Sequence, residues 1–419
     1  MSVGSHEKRM EQANPSITNL RADVEEHLQK LTVAISDRSV ASAGNQNASA
    51  YFHDVLWNLG WKVTEHDFDA LDWEDGTAYV ATGNGTHLGC LANPYSDGCD
   101  LEAPMVVAST ARELGEVQAT GSILLLIGDF VQEPLLPKKF PFYQDPAQQA
   151  IIAAMEASKA AAIICASDGP PVIEDGDFEI PSVSVSIDAG RTLAAHAGKK
   201  IRLCSACFRK PSKAKNVIGF INPKAPKKIV FTAHIDAKKG VPGALDNATG
   251  ITMLLLIARL MADYKGPYGI ELVALNGEDH YAVPGQLAYL KAKPNLAESC
   301  ALNINIDGIG YKEGDTAFSY FGLSQSMQHI AKAELSSKPG ACEGIQWPQG
   351  DHSMFVQVGC PAIAVTSNWL LENMMTQSVT HSEEDRMDLV EVDRLVLTAQ
   401  QLKAFIEAIT PEQSLAISE

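Results

Sequence analysis

The chain has 419 residues, 46% hydrophobic and 20% charged, which is the composition of a folded globular protein and excludes a disordered or fibrous one. Its 51 Asp and Glu outnumber 33 Lys and Arg, and the formal net charge of −18 argues against nucleic acid or an anionic membrane as partner, since both demand a basic face. No apolar run approaches the roughly 18 residues of a membrane span. The opening Met1-Ser-Val-Gly-Ser-His-Glu-Lys lacks the apolar stretch of a signal peptide, so a cytoplasmic enzyme is expected, or a secreted one if a native leader was removed.

In chain order, residues 1–16 are polar and read as a flexible tail. Helical periodicity covers 17–35 and 48–59, the second with Tyr51, Val55, Leu56 and Leu59 on one face. Gly60 then stops the helix, and 61–68 reads as a strand. Between about 73 and 211 the texture changes to short strand-like runs at 105–108, 123–127, 162–165 and 183–186, broken by Gly, Asp and Pro, with one helix over 148–159. This predicts a smaller mixed α/β domain, 73–212, inserted into the chain. From 216 onward, strands over 229–233, 270–275, 302–306 and 362–366 alternate with helices over 247–264, 284–291, 324–335 and 392–409, and 411–419 reads as a tail. Such alternation predicts an α/β fold: a mixed, mostly parallel sheet sandwiched by helices, built from 17–72 and 213–410.

The eight cysteines are spread too widely for a disulfide framework. Cys204-Ser-Ala-Cys207 is a lone CxxC without a second pair at zinc-ribbon spacing, and Cys90 and Cys99 bracket a turn-rich loop. Free thiols are the expected state in a reducing compartment.

Open α/β sheets bind ligands beyond the carboxyl ends of their strands. Chemistry-bearing residues stand at each such end. His234 and Asp236 follow the first strand, Glu278 and Asp279 the second, and Asp307 the third; Asp246 precedes a long apolar helix, and His381 precedes the last helix. Singly, each has an ordinary explanation: a surface histidine, a helix N-cap, a turn. Together, two imidazoles and three carboxylates with a spare Glu have the composition of a two-metal hydrolytic site. Zinc accepts both ligand types. Metals about 3.5–4 Å apart need a bridging carboxylate, and the spare Glu can take a proton from water. Asp236, two residues after His234, is placed to hold that imidazole by a hydrogen bond.

The run Val-Pro-Gly-Ala-Leu-Asp-Asn-Ala-Thr-Gly, which follows a strand ending His-Ile-Asp, resembles the co-catalytic zinc aminopeptidase family, whose relatives include glutamate carboxypeptidase and the transferrin receptor ectodomain. Asn-Gly-Glu-Asp, Asn-Ile-Asp-Gly-Ile-Gly, Gly350-Asp351-His352-Ser-Met-Phe and Thr-His-Ser-Glu-Glu-Asp match in the family's order, over about 17–72 and 213–410. The resemblance implies a zinc exopeptidase-like fold and two Zn2+ per chain, with Co2+ or Mn2+ as substitutes. His234 and Asp307 would bind one metal, and Asp279 and His381 the other. Asp246 would bridge them, with a cis peptide to Asn247. Glu278 would be the general base and Asp236 would orient His234. The implied reaction is hydrolysis of N-terminal peptide bonds by a metal-bridged water, acting on a peptide or small amide. The insert resembles a protease-associated domain through Thr120-Gly-Ser-Ile-Leu-Leu-Leu-Ile-Gly and Ile180-Pro-Ser-Val-Ser-Val-Ser.

The chain departs from that family in places. Glu278-Asp279 stands where relatives carry Glu-Glu. Thr380 stands where some relatives place a Tyr beside the reacting carbonyl, and Trp347, four residues before Asp351, becomes the candidate oxyanion donor through its indole N–H. His280 and His352 are expected to pack their loops and not to bind metal. Two alternatives remain on the same scaffold: a glutaminyl-cyclase-like acyltransferase with one zinc, and a binding protein with a dead site. Residue specificity and oligomeric state are not written in these motifs.

Overall fold

The computed structural model describes residues 16–35, 37–83 and 85–410. The expected tails over 1–16 and 411–419 lie outside the described residues, save Ser16, whose hydroxyl caps the first helix by accepting from Asn19 N–H. The chain divides into two compact units, one built from the segments up to Phe68 and from Lys213 onward, the other from Asp69–Ser212.

The strands follow one another in chain order. β1 (Lys62–Glu74) carries the chain out of the first unit. β2 (Ala78–Thr82), β3 (His87–Gly89), β4 (Leu91–Ala92), β5 (Cys99–Ala108), β6 (Ile123–Leu126), β7 (Ala162–Ala166), β8 (Ser182–Val185) and β9 (Lys200–Ser205) belong to the second. β10 (Phe208–Ile221) brings the chain back, and β11 (Lys228–His234), β12 (Gly269–Leu275), β13 (Cys300–Ile306), β14 (Thr316–Phe321), β15 (Ala341–Glu343) and β16 (Ala362–Ser367) complete the first unit.

The first unit's sheet has the order β1-β10-β12-β11-β13-β16-β14-β15. Its centre is parallel: β12, β11, β13 and β16 run side by side in one direction, while β10 and β14 pair antiparallel at either flank. β11, β12, β13 and β16 are buried along their whole length. That is the expected pattern for a parallel sheet covered on both faces, and it explains their continuous apolar runs. On one face Ile229, Phe231, Ile304 and Val365 meet the helices Ile17–Gln29, Thr249–Leu260 and Val392–Ala408 in a single core. The opposite face carries the shorter helices Pro284–Ala292 and His352–Gln357.

Helix boundaries follow local chemistry. Ser42 accepts from Asn45 N–H at 3.0 Å and starts Ala43–Asn58, several residues earlier than the sequence pattern suggests, because the first turn carries polar residues. The helix expected over 247–264 is regular only over Thr249–Leu260; a wider turn, Ala244–Ala248, precedes it, with non-helical Asp246 and Asn247. β14, whose Thr316 and Ser319 interrupt its apolar run, and β15, only three residues long, are additions to the sequence-predicted set.

The second unit's sheet has the order β3-β2-β9-β5-β6-β7-β8-β4. Its two outer strands, β3 and β4, are consecutive in the chain and separated only by Cys90, so the sheet curls back on itself. Two apolar cores flank it, one around Leu124, Leu126 and Met155, the other around Met105, Ile164 and Leu203. Pro146–Ala157 matches the helix expected here. Two further helices, Ala111–Glu116 and Ile187–Ala194, correct the expectation of one; each is too short for its apolar period to register.

Candidate active site

The carboxyl ends of β11, β12 and β13 deliver His234, the Asn276–Asp279 loop and Asp307 to one edge of the first unit's sheet. Asp246 and His381 arrive there from loops. His234 Nε2 lies 3.0 Å from Asp246 Oδ1 and 3.6 Å from Asp307 Oδ1. His381 Nε2 lies 3.0 Å from Asp246 Oδ2 and 3.0 Å from Asp279 Oδ1. The five side chains therefore form one cluster, with Asp246 offering one oxygen to each imidazole. His234 and Asp279 are buried, Asp246 and Asp307 are partly so, and His381 is half-exposed.

The charges in this cluster compete with burial. Burial would raise the Asp246 carboxyl, yet the imidazoles of His234 and His381 hold it well below the usual carboxylate range. Burial would depress His234, but the carboxylates of Asp307 and Asp246 hold it well above its ordinary value. Burial raises Glu278 well above the ordinary Glu value; the His234 charge opposes this, and Asp279, Asp307 and Asp351 add to it.

Three devices set the cluster's geometry. Asp236 is fully buried, and its carboxylate accepts from Gly277 N–H at 2.6 Å and Asp279 N–H at 3.0 Å, fixing the loop that carries Glu278 and Asp279. Gly277 adopts φ +134, which few side chains tolerate, and an added Cβ would meet Pro284 at 2.6 Å. The contact of Asp236 with His234 is not the carboxylate hydrogen bond expected: the backbone carbonyl lies 3.2 Å from Nδ1, the carboxylate 3.8 Å. The carboxylate turns away because two amide donors claim it.

The second device is a clamp that sequence reasoning missed. Asp385 accepts from Leu245 N–H at 2.7 Å and Asp246 N–H at 3.0 Å. Arg38 is buried and donates to the carbonyls of Leu31, Ile235, Pro242 and Gly243 at 2.6–3.0 Å. The two side chains hold both ends of the 242–246 turn. Gly243 has φ +59 there, and a Cβ would stand 2.8 Å from the Arg38 guanidinium. Asp385 closes the Thr-His-Ser-Glu-Glu-Asp run, so its signal was available; Arg38 stands alone in Ser-Asp-Arg-Ser and gave none.

The third device is Asn247. The Asp246–Asn247 peptide is cis. The Asn247 side chain donates to Ile306 O at 2.8 Å and accepts from Gly250 N–H at 2.8 Å. It thereby ties the loop of Asp246 to the residue just before Asp307.

The remaining candidates do not join the cluster's contacts. His280 accepts from Ala282 N–H at 3.1 Å and stacks on Tyr281, a loop-packing role. His352 is buried between Phe321 and Trp347 and hydrogen-bonds the Trp347 carbonyl at 2.9 Å; burial pushes its imidazole down to about 4. Trp347 is buried, and its Nε1 finds no hydrogen-bond acceptor among the described residues. Thr380 is engaged by Gln377 at 2.6 Å. Gln286 donates to the buried Asp351 at 2.8 Å, a pair that sequence reasoning passed over.

The donor set fits a metal. His234, Asp246 and Asp279 each offer a ligand atom, all within 4.8 Å of one another. His234 Nε2 and Asp279 Oδ2 are buried without an aligned hydrogen bond, although carboxylate and imidazole partners are close. Such atoms aimed at a common centre suit a cation that takes nitrogen and oxygen together.

Comparison with known proteins bears on the fold and the family. Residues 216–406 match peptidase family M28. Aminopeptidase YwaD of Bacillus subtilis (strain 168) is 21% identical over 411 residues, covering 92% of this chain and 84% of the relative. Among solved structures, a zinc aminopeptidase from Bacillus subtilis superposes with TM-score 0.74 at 20% identity, covering 95% of this chain and 98% of that one. The aminopeptidase from Aneurinibacillus sp. strain AM-1 gives 0.70 at 19% identity, covering 94% and 95%. At these identities the structural likeness establishes the fold. Among the described residues, no helix is long and apolar enough to cross a membrane.

Proposed function

From the match of residues 216–406 to peptidase family M28, we propose that the chain is a zinc-dependent aminopeptidase that works with two metal ions. The observation that carries this reading is the Asp246 carboxylate, one oxygen 3.0 Å from His234 and the other 3.0 Å from His381, as a carboxylate shared by two metals requires. His234 and Asp307 would hold one ion, and Asp279 and His381 the other. Two bound zinc ions supply Lewis acidity toward water and the scissile carbonyl.

The chain's own residues do the rest. Glu278 takes the proton of the attacking water and passes it to the leaving amine. Asp236 keeps Glu278 and Asp279 in register through their loop amides. Trp347 stays the oxyanion donor candidate from the sequence: its N–H has no acceptor among the described residues, though it makes no contact with the cluster. The second unit reads as a protease-associated-like domain. The substrate is a peptide or small amide with a free amino end, in line with the activity named for the relatives.

The test pairs zinc stoichiometry with hydrolysis of leucine p-nitroanilide and its N-acetyl derivative. Two zinc ions per chain, with cleavage of the free-amine substrate alone, are expected. One zinc with cyclisation of an N-terminal glutamine, or cleavage indifferent to acetylation, would overturn the reading.

A further inference from the structure

Three buried asparagines stand outside the metal cluster, on the elements behind it. Asn45 lies in the first turn of the helix Ala43–Asn58, Asn216 on β10, and Asn276 immediately after β12, two residues before Glu278. Asn45 and Asn276 meet amide to amide: Asn45 Nδ2 donates to Asn276 Oδ1 at 2.8 Å, and Asn276 Nδ2 donates to Asn45 Oδ1 at 2.9 Å. Backbone groups fix which way each amide points. Arg38 O accepts from Asn45 Nδ2 at 3.0 Å, Ala41 N–H donates to Asn45 Oδ1 at 3.3 Å, and Lys215 O accepts from Asn276 Nδ2 at 3.0 Å. A carbonyl only accepts and an amide N–H only donates, so neither side chain can be turned over without setting like against like. Asn216 holds the same loop at two points, accepting from Asn276 N–H at 3.0 Å and donating to Gly285 O at 2.7 Å. The fit is tight there, since a Cβ on Gly285 would stand 2.2 Å from Asn276 O.

The pair joins two of the devices that shape the active site. On one side, Arg38 gives its carbonyl to Asn45 while its guanidinium holds Pro242 O and Gly243 O on the turn that carries Asp246. On the other, Asn276 leads directly into Gly277-Glu278-Asp279. Sliding one loop against the other would break both amide bonds and leave buried polar groups unpaired, which costs more than the bonds are worth in water.

We propose that Asn45 and Asn276 are positioning residues, which set the Glu278 carboxylate against the carboxylate of Asp246 through the loops that carry them. The proposal rests on the reading of Glu278 as general base. A base works only within hydrogen-bond reach of its proton, and a misplacement of about 1 Å costs about a hundredfold in rate. Aspartate is the informative replacement at Asn45. It keeps the volume and the bond from Ala41 N–H, but an ionised carboxylate has no hydrogen for Asn276 Oδ1 or Arg38 O.

The test is kinetic, on the full chain with zinc in excess and leucine p-nitroanilide as substrate. In Asn45→Asp, kcat should fall about 10–100-fold while KM and zinc stoichiometry hold. Placed in Glu278→Gln, the same substitution should change the residual kcat by less than about twofold, because the group it positions is gone. Equal losses in both backgrounds would overturn the proposal, since a general loosening of the fold acts whether or not the base is present. A wild-type kcat in Asn45→Asp, a change confined to KM, or a fall that follows zinc occupancy would overturn it too. Should Asn45→Asp fail to fold, Asn276→Ala removes the same two bonds without adding charge and is carried through the same two backgrounds. Full activity in Glu278→Gln alone would remove the general-base reading and the proposal with it, and that variant reports this before any asparagine is changed.

Discussion

Glu278 and Asp279 are neighbours with different surroundings, and their roles separate by substitution. Asp279 faces His381 at 3.0 Å, whereas Glu278, which feels the His234 charge, pairs with neither imidazole among the described residues. Glu278→Gln should keep zinc and fold but lower kcat by at least about a hundredfold, the scale of a lost general base. Asp279→Asn should lose zinc instead, and stoichiometry measured beside kcat for both variants decides the assignment. A second residue carries a pH dependence outside the site. His27 is buried, hydrogen-bonded to Tyr51 at 2.6 Å, and burial, reinforced by Arg259, pushes its imidazole down to about 4. The unfolded chain therefore takes up that proton near pH 6.5 and the folded chain only near 4. Stability from this group is complete above about pH 6.5 and declines as pH falls toward 4, by about 1.4 kcal/mol per unit. In His27→Gln, urea midpoints at pH 7 and pH 5 should lie closer together than in the wild type, once other groups are held common.

The turn 242–246 shows how an element positions a ligand that lies on no regular structure. Asp246 sits before the helix Thr249–Leu260, held from one side by Asp385 and from the other by Arg38. Asp385→Asn keeps the volume but replaces one acceptor oxygen by a donor, leaving one of the two amides unpaired. Zinc affinity, measured by competition with a chromogenic chelator, should fall about 10–100-fold, the usual scale for outer partners of a metal site. A change in melting temperature without a change in zinc affinity would show that the clamp serves the fold alone. Elements differ in how legible they were. β11, β12, β13 and β16 could be read because burial on both faces makes them continuous apolar runs, and the residues after them could be read because loops at strand ends are where such chemistry gathers. β14 could not, since Thr316 and Ser319 interrupt its apolar run, and β15 and the short helices of the second unit complete too few periods. Arg38 was illegible for another reason: its partners are backbone carbonyls, which leave no mark on the sequence. The Asp236 carboxylate was read as a histidine partner because spacing shows proximity, whereas amides of a distant loop, Gly277 and Asp279, claim it.

At the scale of the molecule, the second unit carries its own cores and a sheet whose ends are adjacent in sequence. A unit with a complete core folds alone. Residues 69–212, expressed by themselves, should therefore melt in one cooperative transition by far-UV circular dichroism; a broad, featureless melt would show that the core needs the rest of the chain. The first unit's sheet ends differently. One rim is β15, only three residues long, and the other is β1, thirteen residues long. A long open rim invites another molecule to add a strand. Along β1, however, Glu65, Asp67 and Asp69 follow at alternate positions and are exposed, Glu65 being paired with Lys215 of β10 at 2.6 Å. A second copy laid against this rim would bring its own carboxylate row alongside, and the repulsion would add to that of two chains each carrying −18. The length that makes β1 vulnerable to fibril-like stacking is thus guarded by charge. That guard weakens as salt shortens the reach of electrostatic repulsion, so self-association through this rim should appear first in concentrated salt and not in dilute buffer.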